Sequence, residues 1–327
     1  MNKKNTGRSP AALFACLSLA MAALAAPARA AAFAYVANQG DGTLSVIDTT
    51  SDKVTRTLPE RGKFGTKIQA ALADRAQKTA FLVDAAGNAL ISVDLESGEM
   101  KQRIEVGRSP EGASLSPSGK TIAVCVEDDN VVTLVDVASE KVTEKIPTQG
   151  KNPEHCAFSG DGRWLMTSNE DSDDVDLIDL QAGRSVARVH TSGHPRGIAW
   201  LADRPIAYVA QERAGVVDVI DAARRAVVAS IKIGLRPAGA LASPDGARVY
   251  LSNGGDGTIS VIDTQSARVE ATIPVGKRPW NMALTPDGKK LYVANGRSNS
   301  VSVIDTAALS VVHDIVVGDL PWGVNIP

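Results

Sequence analysis

Seven copies of one sequence unit predict an all-β fold, a seven-bladed β-propeller with four antiparallel strands in each blade. First, every unit holds four short apolar runs, rich in β-branched residues and bounded by Gly, Pro, Asp and Asn, which are typical of strands. Second, the unit recurs at a nearly constant period of about 42 residues, as propeller blades do. Third, the chain starts and ends within one unit, so its two ends can complete a single blade.

The clearest unit spans residues 276–318. Its apolar runs lie at 279–284, 291–295, 301–305 and 311–317, and the turn Thr285-Pro286-Asp287-Gly288 separates the first two. Such short runs between tight turns predict a meander in which each strand pairs with the next.

An aspartate ends the third strand of each unit and sets the period. The spacings are 46, 42 and 43 residues and then 42 throughout, for Asp48, Asp94, Asp136, Asp179, Asp221, Asp263 and Asp305. Evenly spaced carboxylates could suggest metal sites, but each lies in its own blade. We therefore expect each carboxylate to accept backbone N–H bonds in the turn to the fourth strand.

The first strands predict how the ring closes. They begin at Ile68, Pro110, Pro153, Pro195, Pro237, Pro279 and Pro321. The N-terminal unit starts with its second strand at 33–38, and the run at 321–326 has no successors. The C-terminal strand should therefore complete the N-terminal blade and leave no free sheet edge in the ring.

The first 30 residues are of a different kind. Lys3, Lys4 and Arg8 precede an apolar stretch at 11–26, and Pro27-Ala28-Arg29-Ala30 follows. This pattern predicts a signal peptide over 1–30, cleaved after Ala30, and hence export to the periplasm. A membrane anchor is less well supported because the stretch is short for a bilayer. The remaining chain, 31–327, is expected to be a single propeller domain without a membrane span.

Composition limits the function classes. Hydrophobic residues make up 44% of the 327-residue chain and aromatic residues only 4%, which favours a core of aliphatic side chains between sheets. The net charge is −2, and removal of residues 1–30 would take away four cations and no acids, giving −6. Tight binding to nucleic acid is therefore not expected.

Several repeat motifs resemble the YVTN-type β-propeller repeat. They include Tyr292-Val293-Ala294-Asn295, Ser300-Val301-Ser302-Val303-Ile304-Asp305 and Thr285-Pro286-Asp287-Gly288-Lys289. The similarity covers essentially the whole chain after residue 30 and is strongest over 237–327. It points to exported YncE-like proteins and to propellers associated with quinone-dependent alcohol catabolism. Such propellers include binding proteins, lactonases and haem-binding domains, so the resemblance predicts fold more than function.

The inter-blade connections should surround one mouth of the central channel, where the sequence varies most. They carry cations and two tryptophans that begin neighbouring innermost strands, which would form a cationic funnel for an anionic, planar ligand. Solvated rim cations and tryptophans packed between blades are the alternative. The candidate ligand-binding residues are Arg108, Lys151, Arg196, Arg236, Arg278, Trp280, Trp322, His155, His194 and Glu154.

Catalytic and metal chemistry receives less support. His155 and His194 lie on consecutive connections and could join Glu111 or Glu154 as a metal site or an acid–base pair. No His-rich or Cys-rich metal spacing, nucleotide fingerprint or G-x-S-x-G element accompanies them. The acidic turns at 127–129 and 170–174 are expected to be solvated surface. Cys125 and Cys156, the cysteines outside residues 1–30, could form a disulfide or remain buried thiols.

These observations predict an exported, non-enzymatic binding or scaffold protein. Its channel mouth would bind an anionic small ligand or a periplasmic partner such as an oxidoreductase or transport protein. We expect a monomer, with no cofactor, no metal and no catalytic residues. A lactonase-like hydrolase or a metal- or haem-dependent enzyme is the first alternative, and single-stranded nucleic-acid binding is the second.

Overall fold

A computed structural model describes Met1, residues 33–74, Ala76 and residues 78–327. The predicted signal peptide therefore lies outside the described residues, apart from Met1. The described chain forms seven four-stranded sheets, and every pair of neighbouring strands is antiparallel. This arrangement confirms the seven-bladed propeller. None of the described helices is long and apolar enough to cross a bilayer.

Strands are numbered β1–β28 in chain order, and a blade holds three or four consecutive strands. Blade 1 holds β1 (Phe33–Asn38), β2 (Thr43–Asp48) and β3 (Lys53–Leu58); blade 2 holds β4 (Ile68–Ala73), β5 (Thr79–Asp84), β6 (Ala89–Asp94) and β7 (Met100–Glu105); blade 3 holds β8 (Pro110–Leu115), β9 (Thr121–Val126), β10 (Val131–Asp136) and β11 (Lys141–Pro147). Blade 4 holds β12 (Pro153–Phe158), β13 (Trp164–Asn169), β14 (Asp174–Asp179) and β15 (Arg184–His190); blade 5 holds β16 (Pro195–Trp200), β17 (Ile206–Gln211), β18 (Val216–Asp221) and β19 (Ala226–Lys232). Blade 6 holds β20 (Pro237–Ala242), β21 (Arg248–Asn253), β22 (Thr258–Asp263) and β23 (Arg268–Pro274); blade 7 holds β24 (Pro279–Leu284), β25 (Lys290–Asn295), β26 (Ser300–Asp305) and β27 (Ser310–Val316); β28 (Pro321–Asn325) follows. A short 3-10 helix, Glu170–Ser172, interrupts the turn between β13 and β14.

The C-terminal strand closes the ring as predicted. β28 pairs with β1, with Tyr35 opposite Asn325 and Ala37 opposite Gly323, so the first sheet has the order β28-β1-β2-β3. Asn325 also reaches the next blade, where its Oδ1 accepts the Ala73 N–H at 2.9 Å. One blade is therefore built from both ends of the described propeller.

The core lies between the blades. Within the described residues, seven hydrophobic clusters each join neighbouring blades, such as Tyr35 and Leu44 of blade 1 with Ile68 and Leu82 of blade 2. The second and third strands are almost wholly buried, whereas outer strands such as β3 alternate between exposed and partly buried residues. This pattern follows from sheets that pack on both faces and expose only their outer edge.

The repeated aspartates have the predicted turn role. Asp305 Oδ1 accepts the N–H groups of Ala307 and Ala308 at 2.8 Å each, and Asp48 Oδ1 accepts those of Thr50 and Ser51. The same Oδ1 acceptance occurs at Asp94, Asp136, Asp179, Asp221 and Asp263. These backbone hydrogen bonds stabilise the carboxylate form and lower the pKa of Asp305.

Cys125 and Cys156, the two cysteines outside the predicted signal peptide, are buried free thiols. Cys125 lies in β9 and Cys156 in β12, within the hydrophobic cluster between blades 3 and 4. Burial raises the pKa of Cys125 well above its usual value, and the neighbouring Cys156 adds to this. Of the two alternatives that the sequence left open, the structure contains the buried thiols.

Candidate functional site

Three repeat positions of each blade meet at one mouth of the channel. The first is the residue before the innermost strand, the second is the second residue of that strand, and the third is the residue after the next strand. The N–H of the third position donates to the carbonyl of the first in every blade; Glu212 to His194 and Gly254 to Arg236, both at 2.9 Å, are examples. The mouth is therefore positioned by the repeat itself.

The residue before each innermost-strand proline has left-handed backbone geometry. His194, Arg236 and Arg278 have φ of 59°, 50° and 53°, and Ser109, Asn152 and Leu320 are similar. The left-handed conformation is unfavourable for residues with a Cβ. It must therefore be held by the closed ring and by the hydrogen bond that each of these carbonyls accepts. This sharp turn places the side chains at the mouth.

The second and third positions divide the mouth into two sectors. The second positions, from blade 1 to blade 7, are Trp322, Gln69, Glu111, Glu154, Arg196, Ala238 and Trp280. The third positions in the same order are Gln39, Ala85, Glu127, Glu170, Glu212, Gly254 and Gly296. Blades 3, 4 and 5 thus form a carboxyl-rich sector, and blades 7 and 1 form an aromatic sector.

Arg196 is the centre of an ion-pair network in the carboxyl-rich sector. Its Nη2 lies 2.5 Å from Glu154 Oε1, and its Nη1 lies 2.7 Å from Glu170 Oε1 and 3.2 Å from Glu212 Oε2. Burial alone would lower the pKa of Arg196, but the three carboxylates raise it well above its usual range. Arg196 is therefore a permanent, nearly buried cation.

Two further arginines contact Glu212. Arg236 Nη2 and Arg278 Nη2 lie 2.8 Å and 3.2 Å from Glu212 Oε1. Burial would raise the pKa of Glu212, but Arg196 and these two guanidiniums lower it. With His194, whose Nε2 lies 2.6 Å from Glu170 Oε1, these side chains form what we call the mouth network: Glu154, Glu170, His194, Arg196, Glu212, Arg236 and Arg278.

The predicted cationic funnel is therefore corrected to a mixed-charge network. Each of its arginines already contacts at least one glutamate, so little cationic charge remains for an anionic ligand. Two of the predicted cations do not join it. Arg108 pairs with Asp129 at 2.8 Å in an exposed turn of blade 3, and the Lys151 side chain is exposed.

A ring stack spans the channel. His155, the third residue of β12 in blade 4, stacks on Trp322 of blade 1, with ring centroids 5.6 Å apart and planes at 14°. Burial, and then the charge of Arg196, lower the pKa of His155 to about 4, so the imidazole is neutral at neutral pH. Among the described residues neither ring nitrogen has a hydrogen bond of normal geometry, although the Asn281 side chain interacts with the ring.

Small residues leave a cavity beside this stack. It has a volume of about 150 Å³ and lies among the innermost strands, with His155, Trp322, Asn281 and Asn325 as its larger polar or aromatic lining residues. Gly112 and Gly323 also line it, and a Cβ at Gly112 would collide with the carbonyl oxygen of Glu154. Glycine at this position thus lets neighbouring innermost strands approach closely.

Glu154 is the most constrained acid of the site. Its side chain is 1% exposed, and among the described residues neither carboxyl oxygen has a hydrogen bond, although Arg196 Nη2 lies 2.5 Å from Oε1. Burial, together with the nearby carboxylates Glu111, Glu170 and Glu127, raises its pKa well above the usual value despite Arg196. Buried polar atoms without partners generally indicate a bound water or ligand.

A second pair of carboxyl groups lies in blade 3. The carboxyl group of Glu111 lies near that of Glu127, and the Ser109 hydroxyl donates to Glu127 Oε2 at 2.8 Å. Burial and the charge of Glu111 raise the pKa of Glu127 to about 8. We call these two residues the carboxyl pair. Neither Glu127 nor Glu170 belongs to the solvated surface that was expected for their turns.

One trio within the mouth network has the spacing of a metal site. Among the described residues, Glu170, His194 and Glu212 bring one ligand atom each within 4.8 Å of one another. Of the predicted grouping, His155 does lie beside Glu154, with Nδ1 3.7 Å from Oε1, whereas His194 joins Glu170 and Glu212 instead. Arg196 Nη1 already lies against the carboxylates of Glu170 and Glu212, and a guanidinium at that position disfavours a metal cation.

Solved structures with similar folds include hydrazine synthase from Kuenenia stuttgartiensis. It has a TM-score of 0.75 and 24% sequence identity, over 84% of this chain and 92% of that chain. A functionally unknown protein from Desulfotomaculum acetoxidans DSM 771 has a TM-score of 0.76 and 14% identity, over 90% and 98%. At these identities the likeness shows the fold alone. No curated protein matches the sequence.

A model of the cytochrome D1 heme domain matches residues 201–323, which is less than half of the chain. The residues of the channel do not fit a haem group. The cavity of about 150 Å³ is well below the several hundred Å³ of typical cofactor pockets, and the stacked rings of His155 and Trp322 fill the channel beside it.

A second family model matches over a longer stretch. The model of the YNCE-like beta-propeller covers residues 72–248, which extend from blade 2 into blade 6. This is more than half of the chain and agrees with the seven closed blades of the structure. The chain belongs to the YNCE-like beta-propeller family.

Proposed function

We propose that the protein is an exported binding protein that takes a small polar ligand at the channel mouth. The observation that carries this proposal is a group of buried polar atoms at the mouth that make no hydrogen bond with the described residues. They are both oxygens of Glu154, both ring nitrogens of His155, Nε of Arg196 and Nη1 of Arg278. Polar groups are seldom left buried and unpaired, since each costs about 1–3 kcal/mol.

A small ligand suits these atoms better than a partner protein. Each of them is almost inaccessible to solvent, and the ring of His155 lines a cavity of about 150 Å³, roughly the space of five water molecules. A protein surface could cover the mouth but could not reach them. The mouth also has an aromatic side, where a ligand can pack against Trp280 and Trp322.

Ligand-observed NMR with a chemically diverse set of small molecules tests the proposal. The set should include acids, amines, alcohols, amides and sugars. We expect saturable binding of at least one class, weakened by Glu154→Gln and by Trp322→Phe. Lys120→Gln, which changes an exposed side chain in a turn between first and second strands on the opposite face, is the control and should leave binding unchanged. Absence of binding across the whole set would contradict the proposal.

A further inference from the structure

The mouth holds more carboxyl groups than cations to balance them. Five glutamates face three arginines, because Arg236 and Arg278 both bind Glu212, and Arg196 bridges Glu154, Glu170 and Glu212. Among the described residues no arginine forms an ion pair with Glu111 or Glu127, and the charge of Lys67 is the cation that acts on Glu127. Two adjacent carboxyl groups retain a proton when no cation accompanies them.

Buried oxygen atoms without hydrogen bonds lie on either side of the carboxyl pair. Glu154 is the next second-position residue after Glu111, and it is buried with both oxygens free of hydrogen bonds. The Gln69 side chain occupies the same position in blade 2, is 2% exposed, and its Oε1 also lacks a partner. Blades 2 and 4, on either side of the carboxyl pair, thus each present buried oxygens that have no hydrogen bond among the described residues.

The aromatic sector of blades 7 and 1 can contact the hydrocarbon part of an organic cation. Trp322 of blade 1 and Trp280 of blade 7 begin innermost strands, and the faces of indole rings attract cations. Gly296 makes room for this arrangement, since a Cβ there would lie 2.5 Å from Trp280 Cζ3. The central cavity beside Trp322 is lined mainly by small apolar residues such as Ala70, Ala71 and Val324.

We propose that the channel mouth binds a small organic ammonium compound, a primary amine with a short apolar chain. Its N–H groups would donate to the carboxyl pair and to Gln69 Oε1, and its chain would lie toward Trp322 and the central cavity. This inference rests on the proposed function, for which it names the ligand class. A primary ammonium is favoured over a quaternary one because the unpaired oxygens need N–H donors.

Titration with butylammonium chloride tests the ligand class by tryptophan fluorescence and calorimetry. The matched probes are 1-butanol, sodium butyrate, tetramethylammonium and calcium or zinc chloride, at equal ionic strength. We expect butylammonium to bind most tightly, with release of protons from the carboxyl pair. Its affinity should therefore rise with pH through the region near 8 where Glu127 titrates.

Variants locate the bound cation. Glu127→Gln should weaken butylammonium binding about tenfold, because a charge-assisted hydrogen bond is lost. Asp128→Asn removes a charge from the same turn but from an exposed side chain, and it should leave affinity unchanged. An equal loss in both variants would show diffuse surface attraction only and would overturn the inference.

The other outcomes separate the inference from the proposed function. Tighter binding of butyrate or butanol than of butylammonium would overturn the amine class while leaving a small-ligand site at the mouth. Preferential binding of calcium or zinc, lost on His194→Ala, would assign the mouth to a metal held by Glu170, His194 and Glu212. If no probe binds while another class in the diverse set does, the inference fails and the proposed function stands.

Discussion

Arg196 is the residue on which the charge balance of the mouth depends. Its side chain is 14% exposed and contacts three glutamates, so Arg196→Met would leave buried carboxylates without their cation. We expect the free energy of unfolding to fall by about 3–5 kcal/mol, as when one partner of a buried ion pair is removed. Arg196→Lys should recover part of this loss, since an ammonium keeps the charge but not the planar fork.

Urea unfolding at neutral pH measures this effect. Arg163→Met is the matched control, because the Arg163 side chain is 58% exposed and lies 3.7 Å from Asp179. Exposed pairs of this kind contribute about 0–1 kcal/mol. A variant at Arg196 that is as stable as the one at Arg163 would show that the network does not stabilise the fold.

Glu127 should make stability depend on pH in an unusual direction. Its pKa is raised from 4.5 to about 8, mainly by burial and by Glu111. Between these two pH values Glu127 has lost its proton in the unfolded chain but keeps it in the folded protein. The contribution of Glu127 to the free energy of unfolding is therefore complete below pH 4.5 and is lost as pH rises to about 8. Glu127→Gln should flatten this part of the profile.

Chemical unfolding at intervals from pH 5 to 8.5 provides the profile. Asp128→Asn serves as the control, because Asp128 is exposed in the same turn. A decline in stability that persists unchanged in Glu127→Gln would assign it to another group, of which Glu154 is the first candidate because its pKa is also raised.

Among the secondary-structure elements, β28 has the largest expected effect. A chain that ends at Leu320 loses the main-chain pairing with β1, the Asn325–Ala73 hydrogen bond and the Trp322 ring over His155. We expect this truncation to lower stability by several kcal/mol, since each lost backbone hydrogen bond contributes about 1 kcal/mol. Thermal unfolding followed by circular dichroism is the measurement.

Two further chains separate the strand from its tryptophan. A chain that ends at Asn325 keeps all of β28 and should melt close to the full chain. Trp322→Ala keeps the strand and removes only the ring, so it should lie between the two truncated chains. Equal melting temperatures for the chains ending at Leu320 and Asn325 would disprove the role of β28 in closure.

The strands could be predicted from the sequence more completely than the site. Turn residues and the repeated aspartates fix each strand locally, and all seven innermost strands begin at the predicted residues. Glu170 and Glu212 were not predicted as site residues, because their environment depends on Arg196 from an adjacent strand. Aligning the residue after each second strand would have found them, since glutamate occupies that position in blades 3, 4 and 5 and glycine in blades 6 and 7.

At the scale of the whole molecule, we expect blade 1, in which β28 pairs with β1, to slow the unfolding of the ring. Between other blades the contacts are made by side chains, such as Tyr250 with Leu291. Blade 1 differs, because opening the ring there requires β1 and β28 to separate along their ladder. A ring whose ends meet between two blades lacks this barrier and should unfold faster.

A circular permutant tests this expectation. Pro327 can be joined to Phe33 through Pro-Asp-Gly-Lys, which copies the turn from β24 to β25, because Asn325 opposite Tyr35 corresponds to Ala283 opposite Tyr292. New ends between Gly276 and Lys277 would leave every blade continuous in sequence. We expect the same circular dichroism spectrum but faster unfolding in denaturant.

A second permutant distinguishes the lost closure from permutation itself. With the same linker and new ends between Arg297 and Ser298, blade 7 is divided into β24-β25 at one chain end and β26-β27 at the other. The β25–β26 ladder, with Asn295 opposite Ser300, then closes the ring as β1 and β28 do in the natural chain. This permutant should unfold about as slowly as the natural chain. Equally fast unfolding of both permutants would show that the shared blade contributes no kinetic barrier, and that packing between blades alone sets the rate.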